Sequence, residues 1–125
     1  MQRSVGHAER MDAACTLLAE PQRRFLLYLL AGRGESHANL DALVPQIAAW
    51  ERGVPVAAVD EEARQLVYVS MVHNHLPRLA DYGIVEYDLR SGDVVVAAGF
   101  SDVESLLDQF RQTEELEELR NLDLD

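Results

Sequence analysis

Lysine is absent from this chain, and cysteine appears only once, at position 15. A single thiol cannot close an internal disulfide, so the fold has to be held by packing. Long apolar runs are missing as well. No stretch approaches the roughly 20 residues that cross a bilayer, and the opening MQRSVGHAER has no apolar signal core, so a cytoplasmic protein with no membrane partner is expected. There is no phosphate-cradling glycine loop, no zinc-ligand spacing and no nucleophile beside a base, which sets the expectation against an enzyme. No internal repeat is evident. At 125 residues the chain is long enough for one domain with its own core and too short to expect two.

What the sequence has in excess is negative charge. Twenty-two acids stand against 11 basic residues, every one of them arginine, for a net charge of −11. Such a charge ordinarily argues against binding DNA, because basic residues on phosphates supply most of the affinity. An acidic, lysine-free composition rich in Ala, Val, Asp and Glu resembles that of proteins from salt-in halophilic archaea, whose carboxylates hold hydrated cations. At 1 M salt the Debye length is about 3 Å, and repulsion beyond contact range is screened. The charge is also uneven. Residues 101–125 carry nine acids against Arg111 and Arg120, a net of −7, whereas residues 1–100 carry 13 acids against nine arginines, a net of −4.

Hydrophobic spacing divides the chain into elements. Met11, Cys15 and Leu18, with Ala14 beside them, predict an amphipathic helix over about 8–19. Pro21 opens a second, very apolar helix running to Gly32. Leu40, Leu43, Ile47 and Trp50 mark a third, capped by Ser36 or Asn39 and closed before Gly53. After the connector RGVPVAAV, Asp60 with Glu61 and Glu62 predicts a fourth helix start. Leu66, Val69, Val72, Leu76 and Leu79 then form one inward stripe up to Gly83, with Pro77 as an expected kink. Strands are expected at about 84–89 and 93–98 around a turn at Ser91-Gly92. Ser101 and Glu104 suggest a capping box for a last helix with Val103, Leu106, Leu107, Phe110, Leu116 and Leu119 on one side.

This order is the plan of a winged helix-turn-helix: mainly α with a small β-hairpin, over residues 1–100, followed by an acidic helix at 101–125. LLAEPQRRFLLYLL resembles the opening helix of ArsR-type regulators. HNHLPRLADYGIVEYD, with His75, Leu76, Leu79, Gly83, Ile84 and Val85, resembles the recognition-helix end of the ArsR, MarR and PadR families. In detail the chain, over roughly residues 10–98, is similar to haloarchaeal winged-helix regulators of the redox-responsive RosR type. The resemblance implies a homodimer on a pseudo-palindromic operator, with the fourth helix in the major groove and the hairpin on the adjacent minor groove or backbone. Two departures stand out: a long connector before the fourth helix, and three acids at its start.

Opposite the expected stripe, the spacing exposes Arg64, Ser70, Met71, His73, Asn74, Pro77 and Arg78 as the groove face. Asn74 could pair with adenine, Arg78 with guanine or phosphate, and Met71 with a thymine methyl. A solvated face with no partner is the plainer alternative for any one of them. Arg90 and Ser91 at the hairpin tip are candidate backbone or minor-groove contacts. Arg23 and Arg24 could reach phosphate, although a surface salt bridge suits at least one of them better. No cofactor is expected beyond inorganic cations bridging carboxylates and phosphates. His73 and His75 point different ways and do not make a metal pair. Leu106, Leu107, Phe110, Leu116 and Leu119 are expected to dimerise with the same helix of a second chain, the alternative being that the helix folds back on its own core. Cys15 is expected to be buried and structural, and it is the only thiol through which an oxidant could act. A sequence-specific, homodimeric transcription regulator working at high salt, in the response to oxidative stress, is the function expected. The competing reading is a winged-helix module that binds another protein and never DNA.

Overall fold

The computed structural model describes residues 6–32 and 37–123, with side chains through residue 115 other than that of His7. Helix α1 (His7–Leu18) turns into α2 (Pro21–Gly32), whose first residue is a proline at a position where no backbone donor is needed. A short strand, β1 (His37–Asn39), leads into α3 (Leu40–Arg52). Asn39 is the cap of α3, its Oδ1 accepting the Asp41 N–H at 2.9 Å, and Ser36 lies outside the described residues. Gly53 ends α3 in the left-handed region at φ 67°, sending its N–H to the Ala49 and Trp50 carbonyls. The connector contains one 3-10 turn (Val56–Ala58). Asp60 then caps α4 (Glu61–Ser70) by accepting the Ala63 N–H at 2.8 Å. Helical backbone continues through a π-helical turn (Met71–His75) into α5 (Leu76–Asp81).

Strands β2 (Val85–Asp88) and β3 (Asp93–Val96) form the expected hairpin, and β1 adds to its other side. The sheet is thus three-stranded and antiparallel in the order β1-β3-β2, with Ala38 opposite Val94 and Tyr87 opposite Val94 on the other edge. Three residues of β1 are too few to carry an alternating signal, which is why the sequence shows only two strands. Helix, strand, helix, helix and hairpin in this sheet order make a winged helix-like fold, mainly helical with a small sheet. Leu26, Leu27 and Leu30 of α2, Leu43 and Ile47 of α3, Leu76 and Leu79 of α5, and Val94 of β3 are fully enclosed at its centre.

Helix α1 meets the body through Ala14, Leu17 and Leu18, so Leu18 and Ala14 face inward as expected from the sequence while Met11 and Cys15 do not. Met11 is 46% exposed and Cys15 is exposed. Cys15 lies about 100° round the helix from Ala14, which points it off the buried face. The structural, buried cysteine expected from the sequence is therefore corrected to an accessible thiol.

A 3-10 turn (Ala98–Asp102) leads from β3 to α6 (Glu104–Asp123). Ser101 Oγ donates to the Ala98 carbonyl inside that turn, and α6 begins only at Glu104, so the capping box does not form. Gly99 sits against the end of α5. A Cβ there would stand 2.6 Å from the Gly83 carbonyl oxygen and 2.8 Å from that of Tyr82, both backbone atoms with little freedom to yield. Gly99→Ala is therefore expected to lower stability by about 1–3 kcal/mol, measured by urea denaturation.

Candidate nucleic-acid interface

The candidate reading surface is the outer side of the helix from Glu61 to Asp81, and its phase is set by the π-helical turn. Pro77 has no N–H to return to the His73 carbonyl, and in a regular α-helix its ring would press on that carbonyl. The chain resolves this by adding a residue to the turn: Leu76 N–H bonds back to the Met71 carbonyl, five residues away instead of four. The buried line keeps a spacing of four through the turn, Ala63, Val67, Met71, His75 and Leu79 with Leu76 beside them, a line that 3.6 residues per turn would carry off one face and that the wider turn keeps inward. Without the insertion, Asn74 would fall within about 20° of the face of Val67, since seven residues nearly complete two turns. With it, Asn74 is half-buried and His73 and Arg78 are exposed.

The same insertion overturns part of the sequence-based assignment. The inward stripe holds for Leu76 and Leu79, but before the turn the phase differs, and Leu66, at 58% exposed, and Val69, at 43%, face outward. Met71, expected in the groove, is wholly enclosed in the core. Ser70 is half-buried, its Oγ 3.3 Å from His75 Nε2. Pro77 is half-buried as well. Arg64, His73 and Arg78 remain outside as expected, and Arg78 Nε donates to Asn74 Oδ1 at 2.7 Å. That bond occupies the oxygen that Asn74 needs for a bidentate contact with adenine, so the two side chains must separate before Asn74 reads a base. The outer face centres instead on Gln65, Leu66 and Val69, flanked by Glu61, Glu62, Arg64 and Tyr68, all exposed. Gln65 and Val69 were missed by the sequence reading; the signal that points to them is Pro77 four residues after His73, which forbids a regular helical bond there.

At the hairpin tip, Leu89, Arg90 and Ser91 are all exposed. The tip is held to α3 by Asn39, whose Nδ2 donates to the Ser91 carbonyl at 2.7 Å and to Asp93 Oδ1 at 3.2 Å. Leu40 N–H adds a bond to the Gly92 carbonyl at 2.8 Å. Gly92 has φ 80°, and its Cα packs so close to the Asn39 amide that a Cβ would meet it at 3.2 Å. Ser91 Oγ accepts the Asp93 N–H within the turn at 3.2 Å, so part of its capacity is used internally. Arg90 is the freer of the two candidate contacts.

Beneath the Glu61–Asp81 helix lies a polar cluster. Arg23 of α2 is 5% exposed and His75 is 3% exposed. Arg23 Nε donates to His75 Nδ1 at 2.9 Å, which fixes the neutral tautomer with its proton on Nε2, directed to Gln22 Oε1 at 3.1 Å. Gln22 in turn donates to Glu51 at 2.7 Å. Burial, reinforced by the neighbouring Arg23 charge, pushes the His75 pKa down to about 4. Burial also lowers the Arg23 pKa, against the opposing pull of Glu20. Arg23 thus braces the π turn from within, and the little surface it keeps borders the cleft beside α1 and not the outer face of the helix where DNA phosphate would lie. Arg24 fulfils the salt-bridge alternative, pairing with Glu114 and lying over the Phe110 ring at 4.8 Å.

These contacts bear on α6. Leu107 is buried in the chain's own core, and Leu106 and Phe110 are half-buried against it. Arg111 caps the Tyr28 ring at 5.2 Å. The first part of α6 therefore folds back on α2, and Leu107 is corrected from dimer contact to core residue. The side chains of Leu116 and Leu119 lie outside the described residues. Among the described residues no helix is long and apolar enough to cross a membrane, and no group of three or more His, Cys, Asp or Glu side chains is placed to hold a metal ion.

The fold is winged helix-like, and its long helix has an exposed, arginine-bearing and partly apolar outer face. The model of the family described as a domain of unknown function, DUF7344, matches residues 15–95, well over half the chain, and the protein belongs to that family. No curated protein matches the chain. No solved structure matches it either.

Proposed function

We propose that this protein is a sequence-specific DNA-binding transcription regulator of a salt-rich cytoplasm, non-catalytic and homodimeric. What supports this most is the phase of the Glu61–Asp81 helix: it leaves Gln65, Val69, His73 and Arg78 uncovered by the protein's own body. Gln65 has the donor and acceptor that adenine needs, Val69 suits a thymine methyl, and Arg64, Arg78 and Arg90 serve phosphate or guanine. The acids at the start of α4 require an inorganic cation wherever they approach phosphate. Dimerisation falls to the part of α6 beyond Glu115, with Leu116 and Leu119. Any thiol-based response to oxidants runs through Cys15, exposed and single.

Fluorescence anisotropy with duplexes selected from a random pool, repeated from low to molar KCl, tests the reading. A sequence-preferring complex that survives molar KCl is expected, because cation uptake between carboxylates and phosphates offsets counterion release. Gln65→Ala and the pair Asn74→Ala with Arg78→Ala are each expected to weaken it roughly tenfold to hundredfold at unchanged fold. No preferred duplex at any salt would sink the proposal.

A specific observation favours a second reading. Leu66, Tyr68 and Val69 are exposed together with Glu61 and Glu62, a face both apolar and acidic, as suits a protein partner. Silence of all these substitutions in DNA binding supports that module instead.

A further inference from the structure

Helix α1 and the end of α5 face each other across two adjoining clefts of about 490 and 380 Å³, within the roughly 300–1,000 Å³ of small-molecule sites. The first is lined by two guanidiniums, Arg23 and Arg78, and by three carboxylates, Glu9, Asp12 and Asp81, with the Thr16 hydroxyl between. The second shares Glu9, Ala13, Leu17 and Tyr82 with it and continues into a recess with an apolar wall of Ala14, Ile84 and Val103, which Arg10 and Asp102 also line.

Arg23 is the informative residue. It is a cation with 5% of its surface exposed, yet its two bonds go to neutral acceptors, His75 Nδ1 at 2.9 Å and the Leu17 carbonyl at a long 3.4 Å. Among the described residues no carboxylate forms an ion pair with it or with Arg78. Buried charges are normally paired. A guanidinium carries more N–H donors than these bonds use, and beyond its burial the Arg23 charge is favoured by Glu20, which is not in ion-pair contact with it, and opposed by Arg78. An incoming carboxylate would relieve both. A simple anion, however, would meet Glu9, Asp12 and Asp81, and a simple cation would meet the two arginines. Only a molecule bearing both charges a few bonds apart satisfies the two sets together, and the apolar recess leaves room for a hydrocarbon tail.

We propose that these clefts bind a small zwitterion with an apolar side chain, in the simplest case an α-amino acid such as leucine, its carboxylate on Arg23 and Arg78 and its ammonium toward Asp81 and Asp12. In molar salt long-range attraction is lost, but contact hydrogen bonds between charged groups persist, so a doubly anchored ligand is the kind that this site retains. Arg78 and Asp81 belong to the helix assigned to DNA. A bound ligand therefore ties α1 to the reading helix, a regulatory consequence that rests on the DNA-binding proposal, whereas the binding itself does not.

The test uses the whole protein without DNA, titrated in molar KCl and followed by amide NMR shifts, with three probes: L-leucine, isocaproate, which lacks the ammonium, and isoamylamine, which lacks the carboxylate. Leucine is expected to saturate, moving the signals of Thr16, Arg78 and Tyr82, with each single-charge probe weaker by about tenfold or more. Asp81→Asn should weaken leucine about tenfold and leave isocaproate unaffected, a split that general damage to the fold would not produce. Failure of leucine to saturate at tens of millimolar, isocaproate binding as well as leucine, or equal loss of both probes in Asp81→Asn would each overturn the proposal. Because DNA is absent from the tube, none of these results bears on the reading face.

Discussion

Met71→Ala is expected to lower the stability of the protein by about 2–5 kcal/mol, a fall of roughly 8–19 °C in melting temperature for a chain of this size. Met71 has no exposed surface and closes the buried line of Ala63 and Val67 immediately before the π turn. Truncating it removes the apolar contacts of most of a side chain and leaves a cavity where α4 joins the turn. Asn74→Ala, three residues on, is expected to change stability by less than about 1 kcal/mol, since its side chain is half in solvent and its one side-chain bond is to Arg78. Thermal melts of the two variants separate the two placements of Met71. Were it on the groove face, as the unbroken helical spacing suggests, its loss would scarcely register in a melt and would appear only in DNA affinity.

The contrast shows where the sequence was legible. Element order was readable because chemistry with few alternatives marks it: Pro21 opening α2, Asp60 capping α4, and Gly53, Gly83 and Gly92 with the positive φ that ends helices and turns hairpins. The phase of the long helix was not, because periodicity assumes a constant turn, and one inserted residue shifts every position before it to another face. Leu66 and Val69 read as core, and Met71 as surface, for that single reason. Burial of Arg23 was hidden differently: a charged residue in an Arg-Arg pair carries no mark that it will meet a histidine 52 positions away. On α1, Met11, Ala14, Cys15 and Leu18 were the expected inward residues, and packing against α2 and α6 kept Ala14 and Leu18, added Leu17 and left Met11 and Cys15 outside. For α6 both alternatives were open from the sequence. The described part takes the folded-back one, through Arg24–Glu114 and the Arg24–Phe110 stack.

Acidification from pH 7 to pH 5 is expected to remove about 2 kcal/mol of stability through His75 alone, and roughly 3 kcal/mol once both states are fully protonated. In the unfolded chain a histidine titrates near its ordinary 6.5, whereas in the fold His75 titrates at about 4. Between those values the unfolded state holds a proton that the folded state refuses, so stability rises with pH across the window and is lost as pH falls through it. The geometry says why. His75 Nδ1 accepts from Arg23, and a proton placed there would abolish that bond and set two cations against each other in a site almost closed to water. Urea denaturation at pH 7 and pH 5, compared between the native protein and His75→Gln, isolates the effect, because glutamine keeps a neutral acceptor for Arg23 and does not titrate. The variant is expected to lose less stability than the native protein over this interval, and parallel profiles would refute the assignment. Since His75 lies within the π turn that places Arg78 outside and Asn74 half outside, the same protonation should release the brace that holds that turn in place. Affinity for a preferred duplex is accordingly expected to fall over the same pH interval in the native protein and to fall less in His75→Gln.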